Sequence, residues 1–97
     1  MVVVITRVTL KPGRVDQVLE LFQRTNPDLV AEEQDWLRAQ FTANRTEDRV
    51  AVLAYWNNAQ AYRTFSRSDK FQQVMSAFAP HFAAPPEVTV QEVLFEM

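Results

Sequence analysis

The residues in this chain that could do chemistry are few, and that scarcity is the first constraint on function. There is one histidine, His81, and no cysteine, so disulfides, thiolate metal sites, iron–sulfur clusters and cysteine nucleophiles are excluded by count. A lone imidazole falls short of the usual nitrogen-ligand set and leaves only carboxylates for a protein-only metal centre. Ser66, Ser68 and Ser76 could partner His81, but none sits in a Gly-x-Ser-x-Gly elbow, which argues against a hydrolytic triad. The single glycine, Gly13, supplies neither a phosphate-cradling loop nor a dinucleotide fingerprint, so a tightly bound flavin or nicotinamide has no seat. Glu32 and Glu33 are neighbours that would point apart on a helix, as a solvated face does. By elimination the reactive electrons must come from the ligand. An apolar pocket that keeps bulk water out would be the setting for such a ligand. No cofactor is expected.

The walls of such a pocket would come from Phe22, Phe41, Trp56, Phe65, Phe71, Met75 and Phe78. Thr6, Tyr62 and His81 are the candidate catalytic groups, with Tyr55 as a further polar handle. Each also has a plainer role. Phe22, Phe71 and Phe78 lie on amphipathic stripes and suit a core. Trp56 ends a strand and carries an indole N–H that wants a partner. Thr6 fits any strand and Met75 fills gaps well. His81 lies just past a helix end, where a cation is favoured anyway.

The elements that must position these groups follow from hydrophobic period. Val2 to Leu10 reads as a strand, closed by a Lys11-Pro12-Gly13 turn in which proline presets the bend and glycine frees it. Val15, Val18, Leu19 and Phe22 fall at i, i+3, i+4 and i+7, one helical stripe starting near Arg14. Asn26-Pro27-Asp28 predicts a kink or restart with Asn26 as cap. Trp36 to Ala43 and Arg49 to Trp56 alternate as a hairpin. Asn57, three residues before Gln60, predicts the cap of a helix turning Ala61, Tyr62 and Phe65 inward. Ser68-Asp69 recaps it, and Phe71, Val74, Met75 and Phe78 repeat the stripe up to Pro80. After a stiff Ala83-Ala84-Pro85-Pro86 linker, Glu87 to Phe95 reads as the last strand, with a phase change at Gln91-Glu92.

That order is βαββαβ, an α+β ferredoxin-like fold with a four-stranded antiparallel sheet. At 97 residues one domain, 1–97, is expected, near the size at which one core is barely self-sufficient. The Arg49 to Trp56 strand is apolar on both faces, which predicts burial on both sides. A homodimer joined through its sheet faces follows. The formal net charge of −2, with acids and bases interspersed, disfavours nucleic acid. Met1 to Ile5 is too short for a membrane span and lacks the basic leader of a signal peptide. A cytoplasmic location is the expectation.

Three landmarks carry a resemblance: the Lys11-Pro12-Gly13 turn, the Leu53-Ala54-Tyr55-Trp56 strand end, and Asn57-Asn58-Ala59-Gln60-Ala61-Tyr62 followed by Ser68-Asp69-Lys70-Phe71. In this order and spacing the chain resembles the antibiotic biosynthesis monooxygenase family. The resemblance implies a dimeric α/β barrel with a pocket between sheet and helices in each protomer. It also implies a choice among cofactor-free oxygenases of phenolic polycycles and quinols, haem-degrading enzymes, and members without established activity. Where the haem branch has asparagine, tryptophan and histidine, this chain carries Thr6, Phe65 and Met75. The expected axial histidine is therefore missing, and a thioether ligand favours electron transfer over oxygen chemistry. The reading that follows is a cofactor-independent monooxygenase for a small aromatic, phenolic or quinol substrate. Haem binding or haem degradation is the alternative, and a non-catalytic ligand-binding or structural dimer is another. The RNA-recognition fold shares the element order, but its third strand should display stacking aromatics after a basic-Gly-aromatic start, and Arg49-Val50-Ala51-Val52-Leu53 does not.

Overall fold

Alternating side chains in the two central strands set the architecture. The computed structural model describes residues 1–97 as β1 (Val2–Thr9), α1 (Val15–Val30), β2 (Trp36–Asn44), β3 (Arg49–Trp56), α2 (Ala59–Ser66), α3 (Asp69–Phe78), a short 3-10 turn (Ala79–His81) and β4 (Glu87–Glu92). The strands form one antiparallel sheet in the order β2-β3-β1-β4, the expected ferredoxin-like arrangement. Val2, Val4 and Val8 of β1 are buried on one face, as are Val50 and Trp56 of β3. In the unbroken β1/β3 register Val2 faces Trp56 and Val8 faces Val50, so these residues share the face that the helices cover. Val3, Ile5, Leu53 and Tyr55 occupy the other face and are only half-buried.

The helix-covered layer holds two clusters. Val8, Leu10, Val15, Val18, Leu21, Val50 and Phe78 form one, while Val2, Val4, Leu29, Trp56 and Phe65 form the other. Val74 of α3 packs against both. Turns fasten the first end. Gly13 adopts φ +76°, a region that costs other residues energy, and its N–H donates to Asp48 Oδ1 at 3.0 Å. The Leu10 N–H donates to the Asp48 carbonyl at 2.8 Å. The β1–α1 turn is therefore tied to the β2–β3 hairpin, whose own left-handed residue is Asp48.

Four local expectations give way to tertiary contacts. The helix does not restart at Asn26; α1 runs through Pro27 to Val30. Asn26 caps nothing and donates to Thr25 Oγ1 at 3.3 Å. One lost N–H is tolerated because Leu29, beyond the proline, buries to 5% exposure in the Trp56 cluster. The inward stripe of α1 also uses Leu21, with Leu19 only half-buried. The cap of α2 is Asn58, whose side chain accepts the Ala61 N–H at 2.8 Å. Asn57 is drawn instead to Asp35, donating from its backbone to the carbonyl at 2.8 Å and from Nδ2 to Oδ1 at 3.2 Å. Ser68 does cap α3, accepting the Phe71 N–H at 3.2 Å.

The last strand stops at Glu92, short of Phe95. Beyond it the Val93 N–H donates to the Met1 carbonyl at 3.0 Å, and Glu96 pairs with Arg38 at 2.9 Å. Between them Leu94 and Phe95 are 86% and 80% exposed. Leucine-to-alanine changes separate the two sides of the α1 question. Leu29→Ala is expected to cost about 2–5 kcal/mol and Leu19→Ala distinctly less. Urea melts of both variants check whether the turn beyond Pro27 is an integral part of the fold.

Candidate functional site

β3 delivers Trp56 to the helix-covered face, and α2 then begins three residues later, so its first turns cross directly over the indole. Trp56 is 1% exposed. Its ring meets Tyr62 nearly edge-on at 6.0 Å between centroids and Phe65 tilted at 4.9 Å. Phe65 meets Phe71 edge-on at 5.2 Å. Four of the residues singled out in the sequence thus form one continuous aromatic wall, in the geometries that ring quadrupoles favour. Trp36, Ala54, Ala59 and Ala61 close around it.

The other candidates are dispersed. Phe22 and Phe41 pack together at 5.3 Å in the first cluster, where Phe78 is also buried; these three are core at the opposite end of the layer. Between the clusters the filling is thinner. Thr6 and Val52 face each other in register and are half-buried, as is Met75 on α3; Val52 and Met75 pack in neither cluster. The row continues to Val88, opposite Thr6 and 47% exposed. Thr6, Val52 and Val88 thus form a row across the helix side of the sheet, from β3 to the β4 edge.

The three candidate catalytic groups do not converge. Tyr62 packs with Val4's cluster near the start of β1. The His81 carbonyl accepts from the Lys11 N–H at 2.9 Å, just past the end of β1. Six residues of strand separate Val4 from Leu10, about 20 Å. His81 is further committed: Arg14 Nη1 donates to its Nδ1 at 3.0 Å. A guanidinium cannot accept, so the imidazole proton sits on Nε2. The Leu10–Phe82 bridge and the Ala83 N–H to Thr9 carbonyl bond at 2.8 Å hold the same segment to β1, which gives His81 a structural post. Tyr55 points away from Trp56 to the open face, where Arg38 lies 4.3 Å above its ring.

Tyr62 is the polar group at the aromatic wall, and burial pushes its phenol above the ordinary value of 10.0. It is therefore a neutral hydrogen-bond donor around pH 7, suited to an anionic oxygen and unsuited to abstracting a proton as a phenolate.

Sequence reasoning missed a cleft of about 460 Å³ on the open face of the sheet, lined by Arg7, Arg49, Thr9, Thr42, Ala51 and Glu87 among others. Its signal was present in Arg7 and Thr9, two apart on β1, and in Arg49 and Ala51, two apart on β3. A second recess, about 370 Å³, lies outside α1 and α3 around Gln17, Glu20, Arg24 and His81. No group of histidine, aspartate and glutamate is placed to hold a metal ion, and no helix is long and apolar enough to cross a membrane.

The raised phenol has a signed consequence for stability. The folded chain holds the Tyr62 proton more tightly than the unfolded chain, so nothing is lost below about pH 10, and stability falls as pH rises through the folded value. Tyr62→Phe is expected to remove that part of the alkaline loss while leaving stability at neutral pH within about 1 kcal/mol. Urea melts of wild type and variant at neutral pH and near pH 11 measure it.

Comparison with known proteins agrees with this geometry. Residues 1–77 match the family model described as antibiotic biosynthesis monooxygenase. No curated protein matches the sequence. Among solved structures, one from Bordetella bronchiseptica assigned to such monooxygenases superimposes with a TM-score of 0.85 at 18% identity, covering 97% of each chain. Another, from Caulobacter crescentus CB15, gives 0.83 at 20% identity over 97% of this chain and 90% of its own. SnoaB, a cofactor-independent oxygenase from Streptomyces nogalater, gives 0.82 at 18% identity over 99% and 95%. At these identities the structural matches speak to the fold, while the sequence match over most of the chain settles kinship: the protein belongs to the antibiotic biosynthesis monooxygenase family.

Proposed function

We propose that this chain is a cofactor-independent monooxygenase-like protein, one domain over residues 1–97, acting on a small phenolic or quinol-type aromatic between sheet and helices. The observation that carries the reading is the aromatic wall of Trp56, Phe65 and Phe71 with a single raised, neutral phenol, Tyr62, set in it. Tyr62 and Phe71, half-buried, are the rings a ligand would meet by area and quadrupole, backed by the buried Trp56 and Phe65. The Tyr62 hydroxyl then donates to the ligand's phenolate oxygen and favours the anion, which is the electron-rich species dioxygen can oxidise. At an activated CH₂ group the balance closes without a cofactor. Both hydrogens leave with one oxygen atom as water, the other oxygen stays on carbon as a carbonyl, and the substrate supplies all the electrons. Thr6 and Met75, half-buried between the two clusters, are the further side chains such a ligand would meet. The family relationship and the cofactor-independent neighbour support this reaction class.

We also propose that two copies associate through their open sheet faces, where Val3, Ile5, Leu53 and Tyr55 stay half-buried in the single chain. Sedimentation equilibrium at micromolar concentration is expected to give twice the chain mass, and Leu53→Glu half of that. A single-chain mass for the wild type would sink the dimer.

Oxygen consumption with a panel of phenols and quinols tests the activity. At least one substrate is expected to exceed its autoxidation rate, with Tyr62→Phe lowering the turnover about tenfold or more. Failure of every substrate to rise above autoxidation would overturn the enzymatic reading in favour of a ligand-binding dimer.

A further inference from the structure

Exposed apolar side chains collect at the end of the sheet where Trp56 closes β3. Met1 precedes Val2, which faces Trp56 in register, and Leu37 precedes Arg38, which faces Tyr55. Leu94 and Phe95, at 86% and 80% exposure, lie between two residues fixed to the same end. The Val93 N–H donates to the Met1 carbonyl beside β1 at 3.0 Å, and Glu96 pairs with Arg38 of β2 at 2.9 Å. With β3 standing between β1 and β2, two strand spacings of about 4.8 Å must be crossed, and three residues of extended chain span about 10 Å. The segment therefore leaves the direction of β4 and runs crosswise past the end of β3.

Nothing in its own chain covers it there. From Leu94 to Met97 the backbone enters no backbone–backbone hydrogen bond. An extended chain sends neighbouring side chains to opposite sides, yet Leu94 and Phe95 are both open to water. Glu96 is the one charged side chain between Val93 and Met97, and Arg38 already neutralises it, so covering the segment strands no charge.

Position decides what can cover it. Arg38 lies 4.3 Å above the Tyr55 ring, on the open face, so its pair with Glu96 sets the segment at the rim of that face. The four apolar residues Val3, Ile5, Leu53 and Tyr55 are already half-buried in the single chain and have limited area left to give. A specific interface buries about 800 Å² on each side. A phenylalanine side chain carries on the order of 150–250 Å², and most of that of Phe95 is still exposed. In a two-fold contact each such segment counts twice, once from each copy.

Given the sheet-face dimer proposed above, we infer that Val93–Met97 is an arm that clasps a second copy of this chain, with Leu94 and Phe95 buried against the partner at the rim of the joined faces. The Glu96–Arg38 pair holds the arm crosswise before association, which spares part of the entropy of ordering it on the partner. β4 stops at Glu92 because the strand-like residues beyond it serve the second copy.

A chain without cysteine permits a direct test, since Leu94→Cys introduces a single thiol whose reaction with a water-soluble disulfide reagent reports its access. At micromolar concentration that thiol is expected to react about tenfold or more slowly than the same thiol in a Leu53→Glu chain of single-chain mass. In sedimentation equilibrium Leu94→Ser/Phe95→Ser is expected to associate about tenfold or more weakly than the wild type, with its circular dichroism unchanged. A wild type of single-chain mass would remove the dimer and the arm together. A wild-type dimer whose association constant is unchanged in the double variant would leave the dimer standing and overturn the arm. So would a thiol that reacts fast in the dimer, or one still slow in the Leu53→Glu chain of single-chain mass, which would show the segment folded onto its own chain.

Discussion

The buried indole of Trp56 is the contact on which the rest of this end of the molecule depends. At 1% exposure it joins the end of β3, the start of β1 through Val2, the last turn of α1 through Leu29, and α2 through Tyr62 and Phe65. An apolar surface of that size, removed from water, supplies a large share of the hydrophobic stabilisation a small domain can muster. The local compromises nearby are arranged around it. Helix α1 keeps going past Pro27 because Leu29 has Trp56 to bury against. Asn57 gives up the cap position because Asp35 ties it down, and that leaves Asn58 to start α2 with Tyr62 and Phe65 over the ring.

Electrostatics contributes little to holding the fold. The ion pairs Arg24–Glu20, Arg38–Glu96, Arg45–Asp16 and Arg49–Glu47 all join side chains that are more than half exposed, where solvent and salt screen them. No buried polar side-chain atom lacks a partner. Stability therefore rests on the two clusters of the helix-covered layer, and with only 12 buried residues of 97 the single chain has a small core. The apolar open-face residues of β1 and β3 are the obvious reserve. A second sheet laid on them would bury area that one chain leaves wet.

The sequence made the element order legible because its periods are clean. Val2, Val4 and Val8 alternate, and Phe71, Val74 and Phe78 recur at helical spacing, so the sheet and its helices could be read without any contact being known. What period could not supply was competition between neighbours. Asn57 and Asn58 are equivalent as caps on paper, and only the position of Asp35 decides between them. Val93, Leu94 and Phe95 look like strand residues, yet the registered pairing with β1 ends at Glu92 and only the Val93 N–H still finds a partner there, the Met1 carbonyl. The aromatic wall was half legible: Trp56, Tyr62, Phe65 and Phe71 were named, but so were Phe22, Phe41 and Phe78, since an aromatic on a stripe reads the same at either end of a layer. His81 was named for its chemistry, whereas its position is explained by Arg14, 67 residues away in the chain.

The division of the molecule into two chemical faces follows from one rule of strand geometry. Side chains alternate, so β1 and β3 send Val2, Val4, Thr6, Val8, Val50 and Trp56 to the helices and Val3, Ile5, Arg7, Arg49, Leu53 and Tyr55 to the other side. On the helix side polar groups are sparse, and burial raises the one phenol, Tyr62, above its ordinary value; the ligand proposed there would be held by ring contact and a single donated hydrogen bond. On the open side Arg7 and Arg49 stand beside Val3, Ile5, Leu53 and Tyr55, the face that a second copy would cover. Changing the two arginines should not disturb the wall, because the pleated sheet, through Ala51 and Val52, points neighbouring side chains to opposite faces.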